Sequence, residues 1–166
     1  MNSFQNSVSP GRLVSWKVCR NLSLAILPVL IVFSFYGLYS NTFYWLKLDN
    51  YIFPLVTILH FVFLHTVHLK LREEGFADPK MRNMEYGMYG VLFIYGFKWM
   101  DTLYVLMSYN DYDQQIIPDT FLPVGLTIFL LQGLLIALTF AAFYCRKSLV
   151  GSYNFDKLHE NFDSWR

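Results

Sequence analysis

The chain has 166 residues, of which 55% are hydrophobic, 19% aromatic and only 15% charged. So few charges cannot cover an ordinary soluble surface, and a bilayer is the natural solvent for such a composition. With 13 basic and 12 acidic residues the net charge is +1, which excludes the strong basic field of a nucleic-acid-binding protein, so no nucleic-acid partner is expected.

Residues 1–10 form a polar lead, and GRLVSWKVCR at 11–20 is basic and carries Trp16, as suits an interfacial segment before a span. Four apolar runs follow, at 21–40, 51–69, 86–108 and 121–145. Each is near the roughly 20 residues that a helix rising about 1.5 Å per residue needs to cross about 30 Å of hydrocarbon. Lipid offers backbone groups no partner, and the chain lacks the alternating pattern from which a barrel closes, so the runs are predicted to be helices. The expected fold is all-α: a single domain, 1–166, forming a four-helix transmembrane bundle. A short cytosolic amphipathic C-terminal helix is expected in the tail at 146–166.

Charge placement predicts the orientation. Arg12, Lys17 and Arg20 precede the first run; Lys70, Arg72, Lys80 and Arg82 lie between the second and third; Arg146 and Lys147 follow the fourth. The opposite loops hold Lys47 against Asp49, Asp111, Asp113 and Asp119. By the positive-inside rule both termini are cytosolic, as is the loop at 70–85, which Gly75 and Asp78-Pro79 mark as a turn. The first run is too long for the core of a signal peptide and is kept as a span. The sequon Asn21-Leu22-Ser23 then lies at the cytosolic edge, away from glycosylation. An internal membrane is expected, the endoplasmic reticulum first and the mitochondrial inner membrane as the alternative.

The third run carries Lys98 and Asp101 one helical turn apart, within YGFKWMDTLYVLM at 95–107. A lysine or aspartate at the centre of a span costs roughly 2.5–3.5 kcal/mol on insertion scales. At i and i+3 the two side chains share a face and are expected to pair, which offsets part of that cost. Gly87, Gly90, Ile94 and Phe97 continue the stripe, so the helix-packing face is predicted to be the charged face as well. The pair reads as a structural lock or as a relay beside a cavity, with His60 and Gln132 as further polar or relay residues in other spans.

HFVFLHTVH at 60–68 holds His60, His65 and His68 in HxxxxH and HxxH spacing. These nine residues resemble fragments of the histidine boxes of membrane fatty-acid desaturases and hydroxylases. That resemblance implies a di-iron site drawing many histidines from several segments, whereas this chain has 4, the last being His159 in the tail. His65 and His68 fall at the cytosolic edge, where polar ring edges are ordinary, and His60 is expected to hydrogen-bond within the bundle. No cofactor, no metal and no catalytic residue is assigned. The chain has no phosphate-binding glycine loop, no nucleophile with a positioned base and no CxxC.

Cys19 and Cys145 each sit beside basic residues at the edge of an apolar run, so both are read as reduced thiols, with Cys145 a candidate for acylation. In the tail, NFDKLHENFDSWR puts Phe155, Leu158, Phe162 and Trp165 on one helical face. The opposite polar face lacks a basic surplus, which predicts docking on a protein partner rather than on anionic lipid. The expected partners are the lipid bilayer and other membrane protein subunits. The expected function is a non-catalytic accessory, assembly or scaffold subunit of an endomembrane complex. The alternatives are a small carrier or proton-coupled transporter using Lys98, Asp101 and His60 around a midplane cavity, and a lipid-modifying enzyme with its histidines near the cytosolic interface.

Overall fold

The structure, a computed structural model, describes residues 10–72, 79–111 and 117–151. Within them the elements run α1 (Pro10–Ser34), strands β1 (Tyr36–Gly37) and β2 (Thr42–Phe43), a 3-10 turn (Leu48–Tyr51), α2 (Ile52–Arg72), α3 (Pro79–Met107), a second 3-10 turn (Ser108–Asp111) and α4 (Phe121–Leu149). The described chain is therefore all-helical apart from one small hairpin. Three of the four helices contain stretches long and apolar enough to cross a membrane: Ser15–Ser34, Leu48–Arg72 and Phe121–Leu149. α3 is as long as α4, but Lys98, Asp101 and its many tyrosines and glycines make it the least apolar of the set.

α2 and α4 follow the predicted runs closely, whereas α1 is displaced. It starts at Pro10 and stops at Ser34 instead of spanning 21–40. Proline suits a first helical position, where its missing N–H is not needed. At the far end the Ser34 hydroxyl lies 2.7 Å from the Ile31 carbonyl and 3.1 Å from the Asn50 carbonyl, tying the last turn to the incoming loop. The chain then reverses in an antiparallel hairpin that pairs Tyr36 with Phe43 and Gly37 with Thr42. Asn41 takes the left-handed conformation that the turn requires, with φ 51°. Gly37 is needed because a Cβ there would sit 2.5 Å from Cε2 of Tyr44. Phe35 stacks on Trp45 at 4.9 Å and meets Tyr51 edge-on at 5.0 Å, so the hairpin is held by aromatic rings.

α3 begins at Pro79. Residues 79–85, expected as loop, are its first two turns, and Met81 and Glu85 are already buried there. The turn residues Gly75 and Asp78 lie outside the described residues, as does the tail from 152 onward with Phe155, Leu158, His159, Phe162 and Trp165.

The four helices pack as a ring in which α4 touches α1 and α3, and α2 touches α3 and α1, leaving α1 and α3 across a diagonal. The core between them includes Leu27, Phe63, Leu64, Val67, Met88 and Leu135. Phe63 meets Phe143 edge-on at 5.6 Å and so couples α2 to α4. Gly125 lets the Leu106 side chain lie against α4, since a Cβ there would be 2.7 Å from its Cδ2. At the opposite end α4 closes on Val150, whose N–H donates to the Arg146 carbonyl at 2.9 Å, followed by Gly151 at φ 92°. Here the Arg146 guanidinium of α4 grips the Glu85 carboxylate of α3, with both side chains buried.

Candidate functional site

The ring contact between Phe53, the second residue of α2, and Tyr95 of α3, with centroids 5.3 Å apart, fixes how these two antiparallel helices register. α3 continues 12 residues beyond Tyr95, to Met107, a rise of about 18 Å. That length extends beyond the start of α2. The hairpin and the 3-10 turn, rather than a helix, face the last turns of α3, and short irregular backbone fills this space incompletely. The result is a cavity of about 990 Å³.

Its apolar lining comes from every helix: Leu30 and Phe33 of α1, Phe53 of α2, Ile94 of α3 and Ile128 of α4. Its polar lining comprises Ser34, Lys47, Asp49, Asn50, Lys98, Asp101, Thr102 and Gln132. On α3 the lining residues Ile94, Lys98, Asp101 and Val105 recur at spacings of four, three and four, a single helical face. Trp99 sets the rotation of this face. Its ring stacks on Phe129 at 5.0 Å, its Nε1–H donates to the Phe129 carbonyl at 3.1 Å, and it lies over Gly133, where a Cβ would approach Nε1 to 3.3 Å.

Lys98 and Asp101 thus share a face and a cavity wall, but they do not form the ion pair expected from their spacing. Among the described residues neither enters an ion pair, and the same is true of Lys47 and Asp49. Four charges of both signs therefore surround one space without neutralising each other by contact. Gln132 adds a buried Oε1 with no hydrogen-bond partner. A buried amide oxygen left in this way costs about 1–3 kcal/mol unless something fills the space beside it.

The predicted packing stripe is also rotated. The buried residues of α3 are Met81, Glu85, Met88, Val91, Tyr95 and Thr102, while Gly90, Phe97 and Asp101 are exposed. Gly87 does adjoin α2, with Leu59 Cδ2 3.0 Å from where its Cβ would be, but Gly90 has open space around it. The physical reason is that α3 leaves most of its aromatic rings exposed, at Tyr86, Tyr89, Phe93, Phe97 and Tyr104, so apolar periodicity does not mark its inner face.

His60 is fully buried, as expected, and its Nδ1 lies 3.2 Å from the Tyr95 hydroxyl. It is two rings removed from the cavity: Phe53 lines the space, Tyr95 packs on Phe53, and His60 packs on Tyr95. The other two histidines diverge from it. His65 is exposed, and His68 meets the Arg20 guanidinium at 2.8 Å. Among the described residues no group of three His, Cys, Asp or Glu side chains is placed to hold a metal ion. The three histidines of α2 therefore do not converge as a histidine-box site would require.

Cys145, the acylation candidate, is buried in the core cluster rather than turned toward lipid, so an acyl donor has no approach to it in this arrangement. Cys19 is buried as well and its Sγ lies 3.3 Å from the Leu138 carbonyl. Sequence reasoning missed two contributions. One is the Glu85–Arg146 pair, in which Arg146 reads only as an orientation charge. The other is the loop pair Lys47 and Asp49, whose place beside Lys98 and Asp101 depends on the hairpin. In comparisons with protein families, curated proteins and solved structures the chain matches none, so its site is interpreted from its own geometry.

Proposed function

We propose that this chain is a four-span protein of an internal membrane such as the endoplasmic reticulum, and that it binds a small amphiphile in this cavity without catalysis, as a carrier or ligand-holding subunit. The observation that carries the reading is a 990 Å³ space whose lining is part apolar and part polar, with four charges that have no ion-pair partners. That size lies at the upper end of the roughly 300–1,000 Å³ typical of small-molecule sites. Of the residues expected for a carrier, Lys98 and Asp101 line the cavity and His60 does not, so proton coupling through His60 forms no part of the proposal.

The test is native mass spectrometry of protein released from mild detergent. Wild type is expected to carry an amphiphile adduct that Val105→Trp, whose larger ring obstructs part of the cavity, loses in large part while remaining monodisperse. An adduct that persists undiminished in Val105→Trp, or no adduct on wild type, would rule out the cavity as the binding site.

The place of α3 in the ring between α2 and α4 supports its crossing the membrane with them. The starts of α1 and α3 and the ends of α2 and α4 carry the basic residues, which supports cytosolic termini. With Cys19 and Cys145 replaced by alanine, a cysteine at Leu46, which is 98% exposed, should react with an impermeant thiol reagent from the lumenal side. A cysteine at Lys147 should be protected from it. The reverse labelling pattern would invert the topology.

A further inference from the structure

We infer that the ligand of this cavity is a zwitterionic phospholipid, its headgroup held between two lysines and two aspartates; this rests on the cavity being a binding site at all. Lys47 and Lys98 supply two cations, Asp49 and Asp101 two anions, all lining one space and none ion-paired. Their charges sum to zero, so the space as a whole attracts neither an anion nor a cation. A ligand that carries both signs in one headgroup can satisfy both: its phosphate accepts charge-assisted hydrogen bonds from lysine and its ammonium group faces a carboxylate. The Oε1 of Gln132, buried and lacking a partner, offers a further acceptor for an N–H or O–H donor.

The ligand's apolar part is indicated by the remainder of the lining. Phe93 and Phe97 line the cavity and yet are 76% and 68% exposed on the outer surface of α3. The wall therefore runs without a break from the charged space to the flank of the bundle that faces acyl chains. A free amino acid shares the zwitterionic chemistry, but it would leave this apolar exit unused. A phospholipid uses both parts, with its headgroup among the charges and its chains passing out over Phe93 and Phe97.

The experiment places the full chain in nanodiscs of equimolar phosphatidylethanolamine, whose ammonium group carries N–H donors, and phosphatidylglycerol with identical acyl chains. Lipids retained on the protein after gentle release are counted by native mass spectrometry. Wild type is expected to retain phosphatidylethanolamine over phosphatidylglycerol by about tenfold, the ratio corresponding to roughly 1.4 kcal/mol. Lys98→Met with Asp101→Leu should abolish that preference. Lys47→Gln with Asp49→Asn lies in an exposed loop outside the helical core, and should reduce it without altering the fold. Retained lipid with no headgroup preference, or with a preference for phosphatidylglycerol, overturns the zwitterionic assignment while leaving the cavity as an amphiphile site. Displacement of the lipid by millimolar phenylalanine overturns the phospholipid in favour of a free amino acid. No retained molecule in any arm overturns both proposals. A preference unchanged in both double variants overturns the charged ring as its cause.

Discussion

Arg146→Met is expected to lower the stability of the folded bundle by about 3–5 kcal/mol, because it leaves the Glu85 carboxylate buried without its guanidinium. Both side chains are buried, and the bond between them joins α3 to α4 at the end opposite the cavity. Arg146 also donates from Nη1 to the Gly151 carbonyl at 3.3 Å, so its loss additionally frees the turn that closes α4. Thermal unfolding in micelles measures the effect. The informative comparison is Glu85→Leu with Arg146→Met, which removes both charges and should recover most of the loss, since two well-packed apolar side chains replace a buried ion pair at little net cost. If the double variant is as unstable as the worse single one, the two residues serve separate partners, and the clamp described between α3 and α4 is not what holds this end together.

Tyr95→Ala should be nearly as damaging, at about 3–5 kcal/mol, the range for deleting a large ring from a closed core. Tyr95 is 2% exposed and stands between Phe53 and His60, so its removal opens a void where α2 and α3 meet. It also takes away the hydroxyl that faces His60 Nδ1, and the other ring nitrogen of His60 is buried with no partner. Tyr95→Phe separates these two effects. It keeps the ring and removes only the hydrogen bond, so the loss should fall to about 0.6–1.7 kcal/mol, the range for interhelical hydrogen bonds inside membranes. The same unfolding measurement distinguishes them. A Phe variant as unstable as the Ala variant would mean that the His60 contact, rather than ring packing, sets the register of α2 against α3. Because that register determines how far α3 overhangs α2, the Ala variant should also lose the retained amphiphile.

Some of this was legible in the residues because it depends only on local composition. The runs of apolar residues at 51–69 and 121–145 lie within α2 and α4 almost residue for residue, since backbone groups facing lipid must close their hydrogen bonds within one segment. The burial of His60 was also legible, a lone polar ring deep in a long apolar run. The first run was misread at its far end, because Phe35, Tyr36 and Phe43 are apolar enough for a span and equally suited to a strand pair. Only the backbone reversal at Gly37 and Asn41 separates the two.

The inward face of α3 was not legible. In water, periodicity distinguishes an inner face from an outer one because the solvent rejects apolar groups. In a bilayer both faces can be aromatic, and the stripe through Gly90, Phe97 and Asp101 turned out to lie partly on the outer surface. Spacing showed that Lys98 and Asp101 share a face. Whether they would meet each other or line an open space was settled by Trp99 locking onto Phe129 and by α3 overhanging α2. The sequence by itself determined the solvent this protein prefers, its helical class and the end of each helix that carries its basic residues, because these are sums over neighbouring residues. The cavity, the approach of Lys47 and Asp49 to it, and the Glu85–Arg146 clamp were decided by tertiary structure, because each depends on how residues distant in the chain are rotated and registered against one another.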